Sequence, residues 1–185
     1  MYPAIPFPSC YWLHPQLILA GELPSALELK EAEEKMSRLI DADIKVLINL
    51  LTRAEFEEAR FYHSSAFPNY LELMNRVSEK RRQGLRCSRH PIRDMGVPSK
   101  PQMKAILDTI DGALARNHPV YIHCYAGLGR TGTVAGCWLV RQGLGGDQAL
   151  KELNAIRREQ GAAAYGISPQ NDLQRDFVRR WNKGE

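Results

Sequence analysis

A thiol, a guanidinium and several small residues share one short stretch, His123-Cys124-Tyr125-Ala126-Gly127-Leu128-Gly129-Arg130-Thr131-Gly132-Thr133. An apolar run (Val120, Tyr121, Ile122) precedes it and a helix-like one (Thr133 to Arg141) follows. The stretch therefore reads as a loop that leaves a buried strand and enters the N-terminus of a helix. Unpaired N–H groups and the positive end of the helix dipole make such a terminus attractive to anions. Small residues (Ala126, Gly127, Gly129) let successive N–H groups turn inward, and the backbone of Tyr125 and Leu128 completes the cradle. Arg130 closes it with a planar fork that can donate two parallel hydrogen bonds to phosphate oxygens. Helix N-termini and neighbouring cations also favour a thiolate over its thiol. One loop would then bind a phosphate dianion and ionise Cys124 as the nucleophile. Thr131 is placed to offer its hydroxyl to the sulfur, and His123 to hold the loop from behind through its ring nitrogens. Inert buried cysteines and glycine punctuation are each common, but here thiol, arginine, glycines and hydroxyl coincide in one strand-to-helix turn. A nucleotide-binding loop is excluded, because no Gly-Lys-Ser/Thr ending is present.

Phosphoryl transfer to sulfur expels an oxygen leaving group that needs a proton, and a general acid contributes about 10²–10⁴-fold. Asp94 is the candidate. It follows a short extended segment, and Gly96 with Pro98 make its loop a hinge. Burial and a neighbouring negative charge keep a carboxyl protonated. In a second step, water must attack the phosphocysteine, with Asp94 switching to base. Gln174 is the weaker candidate for orienting that water, since Leu173, Phe177 and Trp181 recur at helical spacing and Gln174 would flank their core face. Tyr125 either shapes the pocket floor or packs beneath the loop.

The run His123-Cys124-x5-Arg130-Thr131-Gly132 resembles the signature of the cysteine-dependent protein tyrosine phosphatases, most of all the small dual-specificity-type branch. Three further stretches are similar to that family. Pro91 to Ser99 resembles its general-acid loop, Leu17 to Pro24 its opening strand, and Ser168-Pro169 through Gln174 its C-terminal end. The larger tyrosine-specific branch carries Trp-Pro-Asp where this chain has Ile92-Arg93-Asp94. The resemblance implies hydrolysis of phosphate monoesters on protein tyrosine, with serine and threonine open beside it, through a phosphocysteine intermediate and without metal or cofactor. It implies a three-layer α/β sandwich as the fold. Hydrolysis of phosphoinositides or other non-protein esters is the alternative within enzymes. A catalytically weak phosphate-binding adaptor is the alternative outside them. No lysine stands in the loop to meet extra phosphates, which favours phosphoprotein or aryl phosphate.

The elements that must position these residues follow from periodicity. Leu17–Ala20, Lys45–Leu50 and Pro119–His123 read as buried strands. Helical spacing links Leu27, Leu29, Met36 and Leu39, and again Met103, Ile106, Leu107, Ile110 and Leu114, the latter starting near Ser99 with Pro101 in its first turn. Further helices are expected over Thr133–Arg141, over Asp147–Arg157 capped by Asp147, and from Ser168 onward. Residues 55–86 are mixed and helical in part. Alternating strands and helices predict an α/β fold with a central, mostly parallel sheet flanked by helices. The nucleophile loop is expected at its carboxyl edge, where such sheets bind ligands.

The chain has 185 residues, enough for one domain, with residues 1–10 as a proline-rich extended arm. Its uncharged apolar runs fall far short of a membrane span, and the N-terminus lacks the order of a secretory signal. A net charge of +4 is too mild to argue for nucleic acid. The clusters Lys80, Arg81, Arg82, Arg86, Arg89 and Arg175, Arg179, Arg180 read as solvated faces. The four cysteines (Cys10, Cys87, Cys124, Cys137) show no metal-ligand spacing with the histidines. Cys137 reads as a small core residue, whereas Cys10 or Cys87 could protect Cys124 by disulfide formation. A reactive thiolate needs a reducing compartment, so the cytosol is expected.

Overall fold

Three apolar runs build the middle of the molecule. They become strands Ile18–Gly21 (β2), Val46–Asn49 (β3) and Val120–His123 (β5), and edge strands Tyr11–His14 (β1) and Arg86–Arg89 (β4) join them in a five-stranded sheet. The computed structural model describes residues 2–55 and 70–185. The order across the sheet is β1-β2-β5-β3-β4; only the β1–β2 pair is antiparallel. The register aligns Gly21, Asn49 and His123, so the carboxyl ends of β2 and β3 flank the residue before Cys124.

Side chains on a strand alternate between faces, and here both faces are covered. Ile18, Ala20, Val46, Ile48, Val120 and Ile122 belong to one core cluster, beneath helices Lys100–Leu114 (α3), Gly129–Arg141 (α4) and Gly146–Glu159 (α5). Leu19, Leu47 and Tyr121 belong to the other, beneath Leu29–Asp41 (α1) and Tyr70–Arg81 (α2). Helices on both faces of a parallel sheet make its strands nearly continuous apolar runs, as these are. The expected central sheet and helical layers are present.

Several boundaries differ from expectation. Helix α4 begins at Gly129, four residues before the apolar pattern starts at Thr133. Helix α5 is capped by Gly145; Asp147 lies in its first turn without a capping bond, because the chain enters the helix two residues earlier. The C-terminal helix is Asp172–Arg179 (α6), capped by Asn171, while Ser168 gives its hydroxyl to the Leu128 carbonyl at 2.8 Å. Strands β1 and β4 were not anticipated. Of the mixed region 55–86, residues 56–69 lie outside the described residues; the remainder holds α2 and the first residue of β4. The N-terminal arm turns back near Phe7, which is buried in the α1/α2 core with Cys10 and Trp12. Among the described residues no helix is long and apolar enough to cross a membrane.

Candidate active site

Strand β5 delivers Cys124, buried at 3% exposure, into a loop that runs to the start of α4. Two contacts fix the loop against the end of β2. The Leu23 N–H donates to the Tyr125 carbonyl at 2.9 Å, and Gly127 adopts φ +74° directly over Gly21. A Cβ on Gly127 would lie 2.4 Å from the Gly21 carbonyl carbon, so only glycine permits this approach. The N-cap of α4, Leu128, offers no side-chain acceptor to the first-turn N–H groups. An anion seated in the loop can take that role. The Tyr125 ring is half-exposed, and its backbone carbonyl anchors the segment.

Arg130 sits in the first turn of α4 at 2% exposure. Its Nη1 donates to Glu55 Oε2 at 2.7 Å and to the Ile92 carbonyl at 3.1 Å, and its Nη2 meets Asp94 Oδ1 at 3.0 Å. Burial alone would disfavour the guanidinium charge, but the Glu55 hydrogen bond and the surrounding negative groups outweigh it and raise the Arg130 pKa. Glu55 itself feels opposed forces. Burial works against its carboxylate, yet hydrogen bonds from Arg130 and Thr52 hold the carboxyl below its usual value. Thr52 supplies both its N–H and its hydroxyl to Glu55 Oε2, each at 2.8 Å. Sequence reasoning missed Glu55; the Thr52-x-x-Glu55 capping-box pattern was the one local signal for it.

Asp94 reaches Arg130 from the segment between β4 and α3, and its side chain is two-thirds exposed. Exposure and an arginine partner replace the expected burial beside negative charge. The turn that carries it closes with Gly96 N–H donating to the Arg93 carbonyl at 3.0 Å, and Met95 adopts φ +59°. His123 is fully buried, and burial pushes its pKa down to about 4, so its ring is neutral near pH 7. Its Nδ1 lies 3.2 Å from the Cys124 carbonyl, which can only accept, and its ring stacks on Tyr121. The Thr131 hydroxyl donates to the Gly21 carbonyl at 3.4 Å, a further tie to β2, rather than to the sulfur. A hydroxyl has one proton to give, and here the carbonyl takes it.

Gln174 is fully buried, with its Nε2 donating to the Gly96 carbonyl at 3.2 Å and its amide lying on Gly129. The expected core face of α6 is reversed at this point. Leu173 is exposed and Gln174 points inward with Val178, because the helix presents its amide to the site. The other thiols are poor nucleophiles. Burial pushes Cys10 up to about 12, Cys87 up to about 11 and Cys137 well above the ordinary value. All four cysteines are free. Among the described residues no cluster of His, Cys, Asp and Glu could hold a metal ion.

The chain has counterparts among known proteins. Cyclin-dependent kinase inhibitor 3 of Sus scrofa is 27% identical over 167 residues, covering 81% of this chain and 71% of that protein. The active form of Tk-PTP superposes with a TM-score of 0.71 at 22% identity, covering 96% of this chain and 98% of the other. Kinase associated phosphatase, solved with serine in place of its catalytic cysteine, superposes at 0.67 with 23% identity, over 87% and 83% of the two chains. The structural likenesses establish the fold. Residues 24–144 match the family model Tc-R-P, described as the DSP-PTPase phosphatase of polymorphic toxin systems. The chain belongs to that family and is a cysteine-dependent protein tyrosine/dual-specificity phosphatase.

Proposed function

We propose that Cys124 is the nucleophile, Arg130 the phosphate clamp and Asp94 the general acid, in one domain spanning residues 1–185. The observation that carries this reading is the buried Arg130 guanidinium, held by Glu55 beside a glycine-lined helix N-terminus that opens on Cys124. A phosphate dianion enters the loop, takes the first-turn N–H groups of α4 and draws the free edge of Arg130 away from Asp94. The Cys124 thiolate attacks phosphorus; the P–S bond forms as the P–O bond to the leaving group breaks. Once released from Arg130 and set beside the dianion, Asp94 takes up a proton from solvent, and it gives that proton to the departing oxygen. Water then attacks the phosphocysteine, and the Asp94 carboxylate takes one of its protons. Inorganic phosphate leaves and the thiolate is restored. His123 supports the loop through the Cys124 carbonyl, and Thr131 through β2.

Phosphotyrosine in protein is the favoured substrate, since the loop carries Tyr125 and Leu128 and no lysine for extra phosphates. Thiolate chemistry suits a reducing compartment, which favours the cytosol. Turnover of p-nitrophenyl phosphate in the presence of a chelator is the direct assay. Cys124→Ser should abolish it while inorganic phosphate still binds by calorimetry within tenfold of wild type. Near-wild-type turnover by that variant would end the assignment. Phosphotyrosine, phosphoserine and inositol phosphate substrates at equal concentration then rank the substrate classes.

A further inference from the structure

Asp94 is exposed, so its own packing does not hold it over the phosphate loop. Two side chains from the start of α6 hold its backbone instead. The Asn171 Nδ2 donates to the Met95 carbonyl at 3.0 Å, and the Gln174 Nε2 donates to the next carbonyl, Gly96, at 3.2 Å. Asn171 also caps the helix, its Oδ1 accepting from the Gln174 N–H at 2.9 Å. The two donors are therefore locked to each other. They grip consecutive carbonyls just after the acid, where Met95 carries a left-handed backbone that a side-chain-bearing residue rarely adopts unaided. On its other side the Gln174 amide rests on Gly129, the first residue of α4; a Cβ there would lie 2.8 Å from Nε2. Its Oε1 is buried without a partner among the described residues. A position serving stability alone favours an apolar side chain over a half-satisfied amide.

We infer that Asn171 and Gln174 are positioning residues that fix the distance between the acid loop and the phosphate loop, and so place the Asp94 carboxyl for proton transfer. The inference rests on the acid role proposed for Asp94. Misplacement by about 1 Å can cost 10²-fold, but only for substrates whose departure needs a proton. The clamp therefore has a signature that a merely structural contact lacks: its loss depends on the leaving group.

The experiment measures kcat/KM for aryl phosphates running from p-nitrophenyl phosphate to phenyl phosphate. It compares wild type, Asp94→Asn, Asn171→Asp and Gln174→Met, and each of the last two combined with Asp94→Asn. Asn171→Asp keeps the capping oxygen and loses the N–H donor, so thermal unfolding should stay near wild type. Each clamp variant should lose about tenfold or more with phenyl phosphate and under threefold with p-nitrophenyl phosphate. Neither should lower the Asp94→Asn enzyme by more than twofold further. Equal losses across the leaving groups, or full additivity with Asp94→Asn, would overturn the clamp. If Asp94→Asn itself showed no dependence on leaving group, the acid assignment would fall, and the clamp with it.

Discussion

Arg130 has more partners than a phosphate-gripping side chain needs. Glu55 and the Ile92 carbonyl take one edge of its fork and Asp94 the other, the edge that would exchange with a substrate under the proposed role. The two carboxylates thus differ in kind. Glu55 is fixed by Thr52 and partly buried, whereas Asp94 is exposed on a turn. Removing Glu55 takes a charge-assisted hydrogen bond from Arg130, worth about 1.5–3 kcal/mol, while Asp94 still faces its other edge. Glu55→Ala should lower stability by about 2 kcal/mol in urea unfolding and raise KM for an aryl phosphate at least tenfold. A wild-type KM in that variant would mean that Arg130 stays aligned without Glu55. Cys124, Arg130 and Asp94 could be singled out in the sequence because each stands in a run with its own local signature. Glu55 acts across 75 positions of sequence, and its local Thr52-x-x-Glu55 pattern announces a cap but not the arginine it holds.

Among the elements, the strands of the sheet centre were readable because burial on both faces leaves them almost wholly apolar. The edge strand β4, Arg-Cys-Ser-Arg, has the composition of a surface segment and reads as part of a basic cluster. The start of α4 was hidden for a different reason. Its first turn, Gly-Arg-Thr-Gly, carries no apolar side chain, so apolar periodicity begins a turn late. That turn depends on the approach of Gly127 to β2. Gly127→Ala should abolish most turnover and lower the melting temperature, since its Cβ would strike backbone at Gly21 and Glu22. Gly161→Ala is the control, with φ +81° and open space around it. It should cost about 1 kcal/mol and leave activity intact. Activity surviving in the Gly127 variant would show that the loop does not need that contact.

For the molecule as a whole, the buried His123 links the site to acid stability. Its folded pKa is about 4, with burial the main cause, against about 6.5 in the unfolded chain. The unfolded state therefore takes up a proton first as pH falls. Stability from this group is complete above 6.5 and drains away down to about 4, by about 3 kcal/mol. Glu55, held below its usual value, adds to the loss at still lower pH. Unfolding free energies measured between pH 7 and 4.5 should fall, and His123→Gln should flatten the slope. An unchanged slope would mean that the ring titrates freely.

The contact between Asp94 and Arg130 has a kinetic corollary. If Arg130 grips the dianion as proposed, the resting enzyme stores its own understudy for it, and an incoming ester would displace a tethered carboxylate rather than fill bare positive charge. The same tether would compete with the spent oxyanion, which would keep the pocket from silting up with inorganic product.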